Sequence, residues 1–370
     1  MNYRKRVKNL MAVLSNKGLK AALVSNPFSV QYFSGFSGTE GVILISSGAA
    51  KFLTDFRYQE QAANTLKGTG IELVIFKKKF EALEAEFKRL KLKKLGVEEG
   101  NLPLFSANKF EDAGVKLVPI EDNINLLRAI KDGEEIRAIQ TSIRIAERAF
   151  IDTLKKISVG DSELEVTAFL EYRMKSLGAG KCPPEEFDTI VASAERSAMP
   201  HGVASDKKIK HGELVLFDFG CRYKGYCSDL TRVIYMCQTD KEAEKLRKIV
   251  LNAQKAAFEK IRPGADVREV DAAARNVIES EGFGKFFGHG LGHGLGLYIH
   301  EYPRVSPTGS GKLKEGMVFT VEPGIYLEGQ IGVRIEDEVV VTSSGFKILS
   351  RLKRTGEVVP CTHHRISSAA

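Results

Sequence analysis

Two acid pairs and one histidine-rich stretch are the parts of this 370-residue chain whose residue types and spacing could do chemistry. Asp218 and Asp229 lie in "GELVLFDFGCRYKGYCSDLTRVIYM", two β-runs about a turn. A two-residue turn at Tyr223-Lys224 makes them face each other, with Cβ atoms about 4.5–5.5 Å apart. Glu322 and Glu336 repeat the pattern in "GMVFTVEPGIYLEGQIGVRIEDEVVVT", where a three-residue turn, Glu328-Gly329-Gln330, makes them cross-strand partners. The flanks "LVLFDF" and "VFTVEP" are apolar, so these acids sit where solvation is poor. Ionised carboxylates placed so close need a cation or a shared proton. A pair of bridged divalent ions meets that need and turns a shared water into hydroxide near neutral pH. Oxygen-rich ligation with one imidazole suits Mn²⁺, Co²⁺ or Fe²⁺ and admits Zn²⁺.

The stretch "GHGLGHGLGLYIHE", Gly288 to Glu301, holds three of the seven histidines. A phosphate loop is a poor reading, because G-x-G-x-x-G fails at every register and no Lys-Ser/Thr follows. A helical zinc motif fails too. His289 and His293 are four apart but lack the Glu of H-E-x-x-H, and alternating glycines disfavour helix. The remaining reading is one corner of a metal centre assembled from distant segments. Glycines let the backbone approach the crowded site, one imidazole completes the ligand set, and the others line the pocket.

The elements that must position these residues alternate along the chain. "KAALVSN" and "GVILISSGAAKFLTD" read as strands, "RYQEQAANTLK" and "FEALEAEFKRL" as helices, and "KKLGVEEGNLP" and "VKLVPIED" as further strand–turn patterns. This is an α/β domain over residues 1–122. Residues 123–157 are helical, broken at Asp132-Gly133, with Glu134 and Glu135 favouring the start of the second helix. The second domain, residues 123–370 with this linking helix, twice runs through a helix pair and an acidic hairpin. "SELEVTAFLEYRMKSLGAG" and the segments after Asp240 and Asp266 are its capped helices. The repetition is architectural, without sequence identity between the halves.

Composition bounds the rest. The chain is 43% apolar and 28% charged, with a net charge of +8. Lysines interleave with glutamates, as in "FKKKFEALEAEFKRLKLKK", and no nucleic-acid motif appears, so the charge reads as solvated helix faces. No apolar run reaches the roughly 18 residues of a membrane span, and the N-terminus lacks a signal-peptide pattern, so the expectation is a cytoplasmic protein. The five cysteines form no CxxC pair, which argues for buried or free thiols rather than a disulfide framework. His363 and His364 read as a solvated end.

In the order Asp218 ("FDFG"), Asp229 ("SDLTR"), His293 ("GHGLGHGLGLYIHE"), Glu322 ("VEPGIY") and Glu336 ("GVRIED"), the chain resembles the pita-bread metallopeptidases. "NPFSVQYFSGFSG", "LTDFRYQEQA" and "LRAIKDGEEIRAIQTSIRIAERA" resemble the N-terminal domain and junction of the proline-specific branch, Xaa-Pro aminopeptidase and Xaa-Pro dipeptidase (prolidase). The resemblance implies an α/β N-terminal domain and an α+β C-terminal pita-bread domain with a pseudo-twofold repeat. It also implies a homodimer, and two divalent ions, Mn²⁺ or Co²⁺ foremost. Asp218 would chelate one ion, Asp229 and Glu336 would bridge both, and His293 and Glu322 would hold the other. Glu322 would also shuttle the proton. His201 and His300 would contact a proline-containing peptide and stabilise the oxyanion. His289, Tyr326 and Arg334 would line or brace the pocket, and Arg304 would meet a substrate carboxylate. Tyr298 stands where the family often has an acid. The alternatives are a creatinase-like amidinohydrolase and a pita-bread binding module without activity; the retained five ligands disfavour both.

Overall fold

The bracketed apolar runs become the strands of two units in the computed structural model, which describes residues 1–181 and 187–361. The units are Met1–Arg128 and Ala129–Ala370. His363 and His364 lie outside the described residues.

Unit one is built on β1 (Ala21–Val24), β2 (Val42–Ser46), β3 (Ala50–Thr54), β4 (Ile71–Ile75), β5 (Lys94–Val97) and β6 (Lys116–Pro119). Their spatial order is β4-β3-β2-β1-β5-β6, antiparallel only at β1–β2 and β2–β3. Helices α1 (Tyr3–Asn16), α2 (Pro27–Ser34), α3 (Gln59–Thr65), α4 (Lys79–Arg89) and α5 (Leu104–Asp112) accompany the sheet, and α6 (Glu121–Ala129) ends the unit. Leu83 and Phe87 of α4 and Phe110 of α5 pack on Leu23, Leu44, Leu53 and Leu95. Helices α1, α2 and α5 are additions to the sequence reading. The eight residues of α2 are too few to show a 3.6-residue period, yet its ends are marked: Asn26 caps it, Pro27 follows at the first position, and Gly35 closes it in the left-handed region.

Unit two opens with α7 (Gly133–Leu154), whose start is a capping box between Asp132 and Glu135. After α8 (Glu163–Ser176) come β7 (Ile190–Ser193), β8 (Leu214–Phe219), β9 (Arg222–Tyr223), β10 (Tyr226–Cys227) and β11 (Leu230–Met236). The pattern then recurs: α9 (Lys241–Phe258), α10 (Val267–Ser280), β12 (Gly292–Gly294), β13 (Glu301–Val305), β14 (Val318–Val321), β15 (Gly324–Leu327), β16 (Ile331–Arg334) and β17 (Asp337–Val341). Two short strands, β18 (Phe346–Ile348) and β19 (Glu357–Val359), finish the described chain. The main sheets are β19-β11-β8-β7 and β13-β12-β14-β17-β18, and the two hairpin tips, β9–β10 and β15–β16, form sheets of their own. Even an isolated bridge is repeated, Ser162 with Lys208 before α8 and Asp266 with Lys312 before α10. Apolar faces of α9 and α10, including Leu246, Val250, Val270 and Ala274, pack with Leu216, Val233, Phe319, Val321 and Val339 of both sheets in one core.

The hairpin registers decide where the acids point. In the second hairpin Val321 pairs with Asp337 and Gly324 with Arg334, so Glu322 and Glu336 stand opposite each other where the ladder breaks. This is the register expected from the three-residue turn. The first hairpin differs from expectation. Its turn is Lys224-Gly225, both at positive φ (49° and 88°), and Asp218 pairs with Thr231 rather than Asp229. A two-residue loop of this kind needs φ > 0 at both central residues, and glycine takes that conformation at least cost. The shift is two residues, so it keeps the face: Asp218 and Asp229 become diagonal neighbours on the same side.

The cysteine expectation also needs correction. Cys237 and Cys361 form a disulfide across 124 residues, with Cα atoms 5.1 Å apart. Sequence spacing could not reveal it, because the pairing depends on β19 lying parallel to β11, Met236 beside Val359. Cys221 and Cys227 are free and buried, and Cys182 lies outside the described residues. Among the described residues no helix is long and apolar enough to cross a membrane. Closing so long a loop restricts the unfolded chain. Cys361→Ser in chelator is therefore expected to lower stability by about 2–4 kcal/mol, read as a lower Tm without reductant. An equal Tm in variant and oxidised parent would show that the link carries no stability.

Candidate metal centre

Each ligand-type residue sits where a strand ends or breaks. Asp218 is next to last in β8, Asp229 precedes β11, His293 is the middle of β12, Glu322 follows β14 and Glu336 precedes β17. Together with His201, His289, His300, Arg304, Tyr326 and Arg334, they line one cavity of about 740 Å³. All eleven residues singled out from the sequence thus meet in one place, and none of them lies elsewhere.

The glycines around His293 have a steric cause. Strand β12 is held between β13 and β14. A Cβ on Gly292 would fall 1.9 Å from the Thr320 carbonyl oxygen, and one on Gly294 would fall 2.2 Å from that of Tyr302. Only glycine permits this approach, and it fixes the imidazole between two neighbours. The His293 Nδ1 lies 3.1 Å from the Gly294 carbonyl, which can only accept, so Nδ1 carries the proton. The Nε2 lone pair then faces Asp229 Oδ2 at 3.6 Å and Glu322 Oε1 at 3.3 Å. Burial holds the His293 pKa below its ordinary value, which keeps the ring neutral and able to ligate.

Charge is concentrated here. Burial, then the charges of Glu336 and Asp218, pushes Asp229 well above the usual carboxylate range. Burial, then Glu322 and Asp218, does the same to Glu336, and burial raises Glu322. Arg334 is the cation buried among them. Its Nη2 donates to Asp218 Oδ2 (2.5 Å), its Nη1 to the Tyr326 hydroxyl (2.7 Å) and its Nε to Thr231 Oγ1 (2.9 Å). The Thr231 hydroxyl donates onward to Glu336 Oε2 at 2.7 Å. The Tyr326 hydroxyl meets His289 Nε2 at 3.0 Å, and burial raises its pKa to about 12, so it stays a donor.

Whether these residues fit a metal can be judged from what lacks a partner. Asp218 Oδ1 and Glu336 Oε1 are buried with no hydrogen-bond partner. Ligand atoms of Asp229, His293 and Glu336 all lie within 4.8 Å of one another. Orphaned carboxylate oxygens converging with an imidazole lone pair suit divalent cations, and little else would offset their desolvation.

The sequence reading missed Thr231 and Thr320. Thr320 accepts from the His293 backbone N–H (3.1 Å) and donates to Glu322 Oε1 (3.1 Å). Each threonine lies two residues from a ligand on a strand, and that period-two spacing could have found them. Glu338 was missed as well. It is buried, accepts from the Asp229 N–H at 2.9 Å, and burial raises its pKa to about 8.

A sequence model of metallopeptidase family M24 matches residues 137–343, and one of the creatinase/prolidase N-terminal domain matches residues 6–130. The Xaa-Pro dipeptidase of Pyrococcus furiosus is 40% identical over 355 residues, spanning 95% of this chain and 99% of the relative. Among solved structures, an Xaa-Pro dipeptidase from Bacillus anthracis superposes with a TM-score of 0.91 at 39% identity, covering 96% of this chain and 100% of that one. An X-Pro aminopeptidase from Thermotoga maritima gives 0.88 at 39%, covering 95% and 99%.

The raised acids set a pH dependence for metal-stripped protein. Their folded pKa values exceed the unfolded ones, so their contribution to stability is complete below about pH 4 and is lost as pH rises through the folded values. The Tm of chelated protein should therefore fall as pH rises from mildly acidic through about 8, the Glu338 value. Saturating divalent ion should remove the share of that fall due to Asp229, Glu322 and Glu336 by binding their ionised forms, and leave the share due to Glu338. A chelated Tm that is flat over this range would contradict the assignment.

Proposed function

The chain belongs to metallopeptidase family M24, and on that premise we propose that it hydrolyses the bond between an N-terminal residue and proline, using two divalent ions held by Asp218, Asp229, His293, Glu322 and Glu336. The supporting observation is the pair of unpartnered buried oxygens, Asp218 Oδ1 and Glu336 Oε1, in the cavity where ligand atoms of Asp229, His293 and Glu336 converge. When bound, the ions would supply Lewis acidity and a lowered water pKa. Mn²⁺ or Co²⁺ is the proposed pair, because four carboxylates and one imidazole form an oxygen-rich set. Asp218 would hold one ion, His293 and Glu322 would hold the other, and Asp229 and Glu336 would be shared between them.

The chain's own residues do the rest. Arg334 and Thr231 hold Asp218 and Glu336 in fixed rotamers through the bonds described above. Proline's nitrogen leaves as a secondary amine and must be protonated. Glu322, its pKa raised by burial, takes a proton from the attacking water and delivers it to that nitrogen. His201 and His300 are exposed on the cavity lining, and the His300 ring stands edge-on to that of His293 with centroids 4.5 Å apart. They donate to the substrate carbonyl oxygen as it gains charge. Arg304, exposed on the same lining, pairs with the carboxylate of a short substrate. The loss of ligands that would mark a binding module is absent from these five positions.

Asp229→Ala and Glu336→Ala are each expected to abolish hydrolysis of Xaa-Pro peptides while the fold survives. Full activity in either variant would remove that residue from the bridging role. Chelated protein reconstituted with Mn²⁺, Co²⁺ or Zn²⁺ and assayed on an Xaa-Pro dipeptide and an Xaa-Pro-Xaa tripeptide separates dipeptidase from aminopeptidase. Arg304→Ala should lower kcat/KM for the dipeptide by roughly ten- to a hundredfold, as the loss of a charged hydrogen bond implies. The tripeptide, whose carboxylate lies one residue further out, should be less affected. Equal losses on both would show that Arg304 does not read the carboxylate.

A further inference from the structure

Away from this cavity, a second set of ligand-type side chains converges from three segments of unit two. His211 precedes β8, Cys237 follows β11 and Cys361 follows β19. One ring nitrogen of His211 and the two sulfurs lie within 4.8 Å of one another. We propose that these three residues form a redox-gated site for a thiophilic divalent cation such as Zn²⁺. The dithiol form takes the ion, and the disulfide form excludes it.

The disulfide alone would bring two sulfurs together, so the case rests on the histidine and on the backbone. The Gly212 N–H donates to the Met236 carbonyl (2.8 Å), and the Met236 N–H donates to that of Glu213 (2.9 Å). The Cys237 N–H donates to the Val359 carbonyl (2.8 Å), within the parallel pairing of β11 and β19. These bonds do not involve sulfur. They hold all three segments in place when the S–S bond is open, so the reduced site is already assembled. Cys237 leaves β11 with φ of +70°, a turn that carries its side chain towards the other two. Two thiolates and an imidazole are a soft donor set, unlike the oxygen-rich cavity, and they leave the fourth position of a tetrahedral ion to solvent. His211 and Cys361 are exposed and Cys237 is half-buried, so ions and small thiols can reach the site.

The chemistry balances with a low-molecular-weight disulfide as oxidant. Binding of the ion releases one proton from each thiol. On oxidation the two thiolates form one S–S bond and give up two electrons. The oxidant's S–S bond breaks, takes two protons to become two thiols, and the cation is freed. Either state ties down the segment before β19, whose Leu352 and Lys353 carbonyls accept from Arg232, and Arg232 also donates to the Glu336 carbonyl.

Cobalt binding to the full chain tests the proposal, since no cysteine or methionine is among the described residues lining the catalytic cavity. Reduced protein titrated with Co²⁺ is expected to develop a thiolate-to-cobalt charge-transfer band. Cys237→Ser and Cys361→Ser should lack the band. His211→Ala should weaken cobalt affinity at this site by more than about tenfold, because losing a ligand costs at least as much as losing a partner behind one. Adding a small disulfide to the loaded parent should erase the band and release one equivalent of ion. Xaa-Pro hydrolysis by the variants verifies that each is folded. The proposal fails if the reduced parent shows no band, if the band survives in either serine variant, or if His211→Ala binds as the parent does. It fails equally if reductant cannot open the disulfide in the folded protein.

Discussion

Four carboxylates confined around the Arg334 guanidinium are the constraint on which unit two depends. Taken out of water, Asp218, Asp229, Glu322 and Glu336 repel one another, and their desolvation is expensive. Arg334 hydrogen-bonds one of them, Asp218, and is linked to Glu336 through the Thr231 hydroxyl, while its charge acts on Glu322 and Glu336 through space. What remains is a deficit of positive charge, written into the unpartnered oxygens of Asp218 and Glu336. A protein folding for stability alone would fill these positions with apolar side chains. That charge deficit suits the cavity to divalent cations.

Holding such a cluster together requires a stiff frame, and the two hairpins brace each other. The residue two places beyond a cavity carboxylate of one hairpin supports a cavity carboxylate of the other. Thr231, two beyond Asp229, donates to Glu336, and its carbonyl accepts from the Glu336 N–H. Glu338, two beyond Glu336, accepts from the Asp229 N–H. The exchange is reciprocal, as expected of the repeated helix-pair-and-hairpin architecture. Behind it, Arg232 and Asp337 form a further buried pair at 2.7 Å, with Arg354, Gln254 and Ser350 completing the Asp337 contacts. Asp337 is thus satisfied behind the cavity, while Asp218 Oδ1, Glu336 Oε1 and Glu338 Oε2 are buried without a hydrogen-bond partner.

Much of this was legible in the chain because period two is robust. The second hairpin's register follows from a three-residue turn at Gly329. The first was misread by two residues, since Tyr223-Lys224 looks like a turn until the need for positive φ at both central positions singles out Lys224-Gly225. An even shift leaves every side chain on its face, so Asp218 and Asp229 share one side of the hairpin despite the two-residue difference in register. Other features leave no local trace. The link between Cys237 and Cys361, 124 residues apart, depends on the pairing of β11 with β19. Helices α2 and α5 are too short for periodicity, and α1 carries its apolar residues among many lysines and arginines. The threonine and Glu338 supports resemble ordinary strand residues unless the ligands two places away are already known.

The bare backbone around His293 ties these strands of argument together. A histidine on a flexible loop could swing towards or away from a metal, and its ligand bond would bear the cost of ordering it. Here β12 is pressed so close to β13 and β14 that Gly292 and Gly294 can carry no side chain, while His293 between them has a pleat direction of its own. The Gly294 carbonyl fixes the tautomer and Thr320 fixes the backbone N–H. The glycines therefore do not supply mobility. They permit a close packing that removes it, and the imidazole is presented to the carboxylates in one orientation before any ion arrives.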